Sequence, residues 1–314
     1  MACLITRRWS DVQLRSAGSA RRIPVAKTPK AYVGGEFIRS ESGRVFPVYQ
    51  PEDGGNGERV LLANIPQCTR KDVRNAVEAA AKAGPQWAGR TPYHRGQIIY
   101  RLAEMLESRS AEMAGAIASS GGGTCDAAAV EVSLSVDRLV YYAGWADKYE
   151  QILGNTNPVA GPFFNFTVAE PMGVVGVIAD DASPLLALIS QVAPIIVSGN
   201  TAVTLASETL PYPAILLGEM LATSDLPGGV VNILTGLKAE LIATFATHTH
   251  IRGVDAIILS EHRKELALGA AESVKRLRVR PQEDAPHWSD ESTQSVYDIR
   301  AFVEFKTTWH PIGA

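Results

Sequence analysis

Apolar positions change period near the middle of the chain. Over residues 30–37 (KAYVGGEF) and 45–49 (VFPVY) they fall in short extended runs, with a turn through Ser42 and Gly43 between them, which predicts a small hairpin. Thr69 stands three residues before Asp72, and Val73, Ala76, Val77, Ala80 and Ala81 follow at helical spacing. A hydroxyl and a carboxylate at that separation cap the first turn, so a helix is predicted from there. Helical periodicity continues over about 93–118 and 126–149. The intervening stretch 119–124 (SSGGGT) follows a helix rather than a strand, so it predicts a flexible loop and not a phosphate cradle. Residues 151–169 carry Val159, Phe163, Phe164, Phe166 and Val168 around the Pro-Val-Ala-Gly-Pro turn at 158–162, a second hairpin pattern.

Beyond Pro171 short β-branched runs alternate with amphipathic helical segments. The runs lie at 174–179, 201–205, 230–234, 254–259 and 274–279. Strand and helix in that rhythm predict an α/β fold with a doubly wound parallel sheet, whose ligands sit beyond the carboxyl ends of the strands. Residues 280–294, which open RPQEDAPHWSDE, read as a polar linker, and 295–308 (SVYDIRAFVEFKTT) as a final strand. The expected organisation is therefore a basic leader (1–28), an N-terminal hairpin with helices (29–150), a hairpin (151–169), a parallel core (170–279), the linker (280–294) and a C-terminal strand (295–314).

Composition narrows the partners more than the fold. Among 314 residues, 30 basic and 33 acidic side chains leave a net charge of −3, so no positive field favours nucleic acid. The longest apolar stretch, 184–199, includes Gln191 and Pro194 and is too short for a membrane helix. Cys3, Cys68 and Cys125 are odd in number and far apart, which suits a reducing compartment. The expected location is cytoplasmic, or mitochondrial if the leader, with five arginines in its first 22 residues, is a transit peptide. The Asn165-Phe166-Thr167 sequon matters only in a secreted chain. His248 and His250, with His262 beyond, lack cysteine or carboxylate partners at metal-site spacing and read as loop histidines.

Five landmarks then occur in one order: Glu170-Pro171-Met172-Gly173-Val174-Val175-Gly176 with Pro184-Leu185-Leu186, Gly199-Asn200-Thr201, Ser207-Glu208, Pro227-Gly228-Gly229-Val230-Val231-Asn232, and Thr235-Gly236. Together they resemble the cofactor domain of the aldehyde dehydrogenase superfamily. Tyr141 to Asp147 resembles that family's helix before its oligomerisation hairpin, and Val303 to Thr308 its C-terminal strand. The resemblance implies a Rossmann-like cofactor domain, with residues 151–169 and the tail strand as its assembly elements. It also implies that the family's catalytic glutamate and cysteine belong to a domain absent between residue 279 and the tail. None of the three cysteines here takes that place; Cys125 lies in a helix upstream of the first parallel strand, with no histidine near it in sequence.

At the positions that serve cofactor and oxyanion, the resemblance implies losses. The family's proline, tryptophan and asparagine before Ser183-Pro184 are Asp180, Asp181 and Ala182 here. Alanine has no donor, and losing one oxyanion donor costs about 2.7–4 kcal/mol of barrier. A ribose-binding lysine is Leu205, followed by Ala206 in place of proline, and the glycine expected after Gly236 is Lys238. The later phenylalanine-threonine-glycine-serine turn is Ile257-Ile258-Leu259-Ser260. Glu208 and Gly236 remain as remnant cofactor-binding positions, with weak residual NAD(P) binding the most they imply. The expectation is a catalytically dead or impaired pseudoenzyme with no catalytic or metal-ligating residue. It would assemble with itself or with a full-length aldehyde dehydrogenase through residues 151–168 and 299–308, where Phe163, Phe164, Phe166, Phe302 and Phe305 supply aromatic surface. Two alternatives stay open: an NAD(P)-dependent oxidoreductase acting on aldehydes, and a nucleotide-sensing module built on Glu208.

Overall fold

The computed structural model describes residues 27–51 and 60–313; the leader expected over 1–28 falls almost wholly outside them. β1 (Ala31–Val33) and β2 (Glu36–Ile38) form a hairpin closed by Gly34 and Gly35, both at positive φ. The sequence placed this turn at Ser42-Gly43 instead. β3 (Val45–Tyr49) pairs with β4 (Leu61–Pro66), a strand the sequence reading missed, in a separate antiparallel ribbon. Glycine carries positive φ without steric penalty, so the tighter turn falls inside KAYVGGEF.

α1 (Arg70–Ala88) begins as predicted. The Thr69 amide donates to Asp72 at 2.7 Å, and the same carboxylate accepts from Glu41 N at 3.0 Å. The long helix predicted over 93–118 is two, α2 (Pro92–Ser108) and α3 (Ser110–Ser119), broken at Arg109. Ser108 Oγ bonds back to Met105 O at 2.9 Å, and Arg109 reaches Glu112 and Glu219, so local bonds replace the next helical turn. The glycine run closes α3, with Gly122 N donating to Ile117 O, and Thr124 Oγ1 then caps α4 (Cys125–Trp145). After the single turn of α5 (Tyr149–Leu153), β5 (Asn155–Asn157) and β6 (Phe163–Pro171) make the second predicted hairpin.

The alternating half follows the predicted rhythm closely: β7 (Val174–Ile178), α6 (Leu186–Val197), β8 (Thr201–Leu205), α7 (Tyr212–Thr223), β9 (Val231–Leu234), α8 (Lys238–Thr247), β10 (Ile251–Ile258), α9 (Arg263–Ala271) and β11 (Arg276–Pro281). These strands lie in the order β11-β10-β7-β8-β9, all parallel, with β1 and β2 added antiparallel beside β9. Strand residues alternate between two apolar layers. Val175, Val177 and Ala202 face α2, α4, α6 and α7; Val174, Ile178 and Val203 face α1 and α8. The fold class is thus the doubly wound α/β sheet expected.

Two features of the C-terminal part differ from the sequence reading. Residues 282–294 are not a loose connection, because Trp288 is buried and Arg138 donates to the carbonyls of Thr293 at 2.7 Å and Trp288 at 2.9 Å. The segment read as one strand starts with a helical turn, α10 (Val296–Arg300), capped by Ser295, before β12 (Val303–Pro311). β12 then pairs along its whole length with β6, from Val303 opposite Pro171 to Pro311 opposite Phe163. Phe163, Phe164 and Phe305 are exposed on this three-stranded sheet together with Trp309, whereas Phe302 lies fully inside the core. Asn165 of the sequon is buried between the strands. Among the described residues no helix is long and apolar enough to cross a membrane.

Candidate functional site

The chain runs outward through β7, β8 and β9, then returns to the other side of β7 for β10 and β11. A doubly wound sheet opens its ligand crevice where the order reverses, beyond the carboxyl ends of the strands. Here that place lies between β7 and β10, and the segments after β7, β8 and β9 bring Asp180, Asp181, Ser207, Glu208 and Lys238 together.

Almost every polar group at this end is engaged by another residue of the chain. Asp181 Oδ1 accepts from Ser207 Oγ at 2.9 Å and from the Glu208 amide at 2.7 Å. Its Oδ2 accepts from Lys238 Nζ at 2.7 Å and from Gln282 Nε2 at 3.3 Å. Both partners of that ion pair are nearly buried, with side-chain exposures of 11% for Asp181 and 8% for Lys238. Lys238 therefore spends its charge inside the protein rather than on a phosphate. Asp180 is wholly buried and holds the Ala182 amide at 3.2 Å and Trp288 Nε1 at 2.8 Å. Ala182 itself is exposed and offers no side-chain donor.

Helix N-termini in such a crevice ordinarily present free amides to anions. Two of them here are capped by the protein's own carboxylates. Glu131 of α4 accepts from Leu185 N at 2.9 Å and Leu186 N at 3.0 Å at the start of α6, and Glu208 accepts from Lys238 N at 2.7 Å at the start of α8. Glu208, a predicted cofactor contact, thus serves as a helix cap. Gly236, the other predicted contact, has a packing role: a Cβ on it would stand 3.2 Å from Cys68 O and 3.3 Å from Leu241 Cδ1. Leu205 and Ala206 are buried at the end of β8. The residues present do not fit the pyrophosphate of a dinucleotide, because the Leu185, Leu186 and Lys238 amides and the Lys238 ammonium that would meet it are already bound to carboxylates.

The two described cysteines lie outside this network. Burial pushes the Cys68 thiol up to about 12, so it carries no thiolate at neutral pH. Cys125 opens α4, about 9 Å along the helix from Glu131 at 1.5 Å per residue. His248 and His250 meet edge to face with ring centroids 6.0 Å apart; burial first, then the His250 and Lys275 charges, lowers the His248 pKa.

The network that sequence reasoning missed has one titration consequence. Burial raises the Glu131 carboxyl above its ordinary value of 4.5, although the two amides oppose the shift. Between those values the folded chain holds a proton that the unfolded chain has released, so stability falls as pH rises through the window. Glu131→Gln, whose amide oxygen can still accept from both amides, should remove that slope. Urea midpoints measured from pH 4 to 7 would check it, and an unchanged slope in the variant would refute it.

The comparisons with known proteins agree with this architecture. A family model described as "Aldehyde dehydrogenase family" matches residues 37–279. Retinal dehydrogenase 2 of Gallus gallus is 37% identical over 235 residues, which cover 74% of this chain and 43% of that protein. The putative aldehyde dehydrogenase DhaS of Bacillus subtilis (strain 168) is 31% identical over 255 residues, or 80% of this chain and 50% of that one. Among solved structures, the NAD+ complex of an aldehyde dehydrogenase from Bacillus cereus superposes with a TM-score of 0.75 at 28% identity, covering 81% of this chain and 51% of that chain. The chain spans about half the length of the curated relatives it matches. On its sequence match and its sheet topology alike, the chain belongs to the aldehyde dehydrogenase family.

Proposed function

We propose that this chain is a catalytically silent member of the family, acting as a structural or regulatory subunit of an aldehyde dehydrogenase assembly. The observation that carries the reading is the occupation of the strand-end crevice by the chain's own groups. Asp181 is neutralised by Lys238, and Glu131 and Glu208 sit on the helix amides that would face an anion. Ala182 supplies no donor for an oxyanion, a deficit worth about 2.7–4 kcal/mol of barrier. The same engagement of Glu208 argues against a nucleotide sensor built on it.

Assembly is the other half of the reading. Among the described residues β12 is an outer strand with Phe305 and Trp309 exposed, flanked by Phe163 and Phe164 of β6. An open edge beside exposed aromatic rings favours pairing with a further strand, from a second copy or from a full-length aldehyde dehydrogenase. The widely spaced cysteines favour the cytoplasm as the compartment.

The purified chain should form no NADH or NADPH from aldehydes above the protein-free rate. On size exclusion it should elute as an oligomer or capture a full-length aldehyde dehydrogenase. Aldehyde-dependent turnover would end the silent reading, and a strict monomer that captures no such partner would end the subunit reading. The competing reading, an NAD(P)-dependent oxidoreductase acting on aldehydes, draws on the 37% identity with retinal dehydrogenase 2. Under it turnover would be present, and Cys125→Ala would abolish it if that thiol were the nucleophile.

A further inference from the structure

The place that a doubly wound sheet keeps for a ligand is filled here by a side chain. Trp288 comes from a segment that is otherwise polar and rich in proline, yet it is only 4% exposed. Its Nε1–H donates to Asp180 Oδ2 at 2.8 Å, just beyond β7. The Arg280 guanidinium lies over the ring, 5.2 Å from its centroid. Leu186, Ala187 and Ile257, the last at the end of β10, share one buried cluster with the indole. The ring therefore spans the two strands between which the order reverses.

Three of these contacts act on the indole specifically, through its N–H, its ring face and its thickness. A wholly buried carboxylate is costly unless donors meet it, and the indole N–H is one of two donors that Asp180 has. A cation over one ring face rewards an aromatic group specifically. Apolar neighbours set the thickness of the slot. The segment that carries the ring is itself tied down, because Arg138 clamps the Trp288 and Thr293 carbonyls and Gln282 reaches Asp181.

We propose that Trp288 is a tethered ligand: the crevice between β7 and β10 is a site for a flat heteroaromatic ring bearing an N–H donor, and residues 282–294 plug it from within. The proposal rests on the silent reading only in treating this crevice as a binding place and not a reaction centre. An external ring of the same chemistry enters only when the plug is removed or displaced.

Trp288→Gly in the full chain empties the slot and leaves Asp180 facing it. With millimolar indole, the thermal midpoint of the variant should rise by about 3 °C or more, and benzofuran, of the same shape without the N–H, should give less than half of that. The wild type should respond to neither. In Trp288→Gly/Asp180→Leu the preference for indole should vanish. Equal shifts with indole and benzofuran in the single variant, or the same indole shift in the wild type, would overturn the proposal. If the glycine variant does not fold, Trp288→Phe decides the matter by hydrogen exchange. Amides of 283–294 should then exchange about tenfold faster, the consequence of leaving Asp180 short of a donor, while β8 stays protected. Unchanged protection would overturn the plug. Turnover by the wild type would remove the silent reading and leave the indole result standing, so the two failures are distinguishable.

Discussion

Replacing Asp181 with leucine should lower folding stability by about 3–5 kcal/mol, because it strands the buried Lys238 ammonium without a counter-charge. The Ser207 hydroxyl and the Glu208 amide lose their acceptor in the same step. Lys238→Met should cost clearly less, since Asp181 keeps Ser207 Oγ, the Glu208 amide and Gln282 Nε2 as donors. The double variant should recover much of the loss, as buried pairs replaced by apolar side chains of similar volume commonly do. Urea unfolding of the four proteins gives the cycle directly. If both single variants cost the same, the pair alone would matter and the surrounding donors would be idle, contrary to the network described here.

On the silent reading proposed above, this expected asymmetry marks a structural site. A site kept for chemistry holds charges in reserve for a ligand, whereas Asp181, Lys238, Glu208 and Glu131 are each spent on a neighbour. The family's fold places these residues at the right end of the sheet. In this chain the groups satisfy one another, and on the proposal above Trp288 fills the crevice beside them.

The parallel core was legible in the sequence because its strands are buried on both faces and read as continuous β-branched runs, so their rhythm survives without knowledge of pairing. The cap of α1 was legible for the same reason: Thr69 and Asp72 act within one turn. Pairings over long separations were not. β3 finds its partner across a stretch of weak pattern, so the nearer Ser42-Gly43 turn misled the hairpin assignment. Asp181 and Lys238 were each legible only as charged residues standing where the family has others. Their union across the ends of β7 and β9 is invisible in either local segment. Residues 280–294 were misread because polar composition dominates, and a single tryptophan among prolines and acids carries no periodicity. Phe302 was counted with the exposed aromatic residues of the tail because nothing local marks α10 as the turn that drives it inward.

Phe302→Ala should cost about 3–5 kcal/mol, the range for emptying a fully buried phenylalanine site. The loss should be regional. Phe302 lies at the entry to β12, within 3.5 Å of where a Cβ on Gly253 would stand, and its carbonyl accepts from Asn200 Nδ2 at 2.7 Å. The next residue's carbonyl accepts from Arg276, so the ring ties the strand entry to β10 and the backbone ties it to β11. Removing it should loosen β12 from β6 before the parallel core opens. Hydrogen exchange should show faster exchange across 303–311 and 163–171, with β7 and β8 still protected. If assembly runs through β12, the same variant should shift toward monomer on size exclusion at concentrations where the wild type stays associated. A variant that loses stability uniformly across the sheet would show instead that the tail is part of one cooperative core, and a variant that loosens the tail yet keeps the wild-type oligomer would place the assembly surface elsewhere on the molecule.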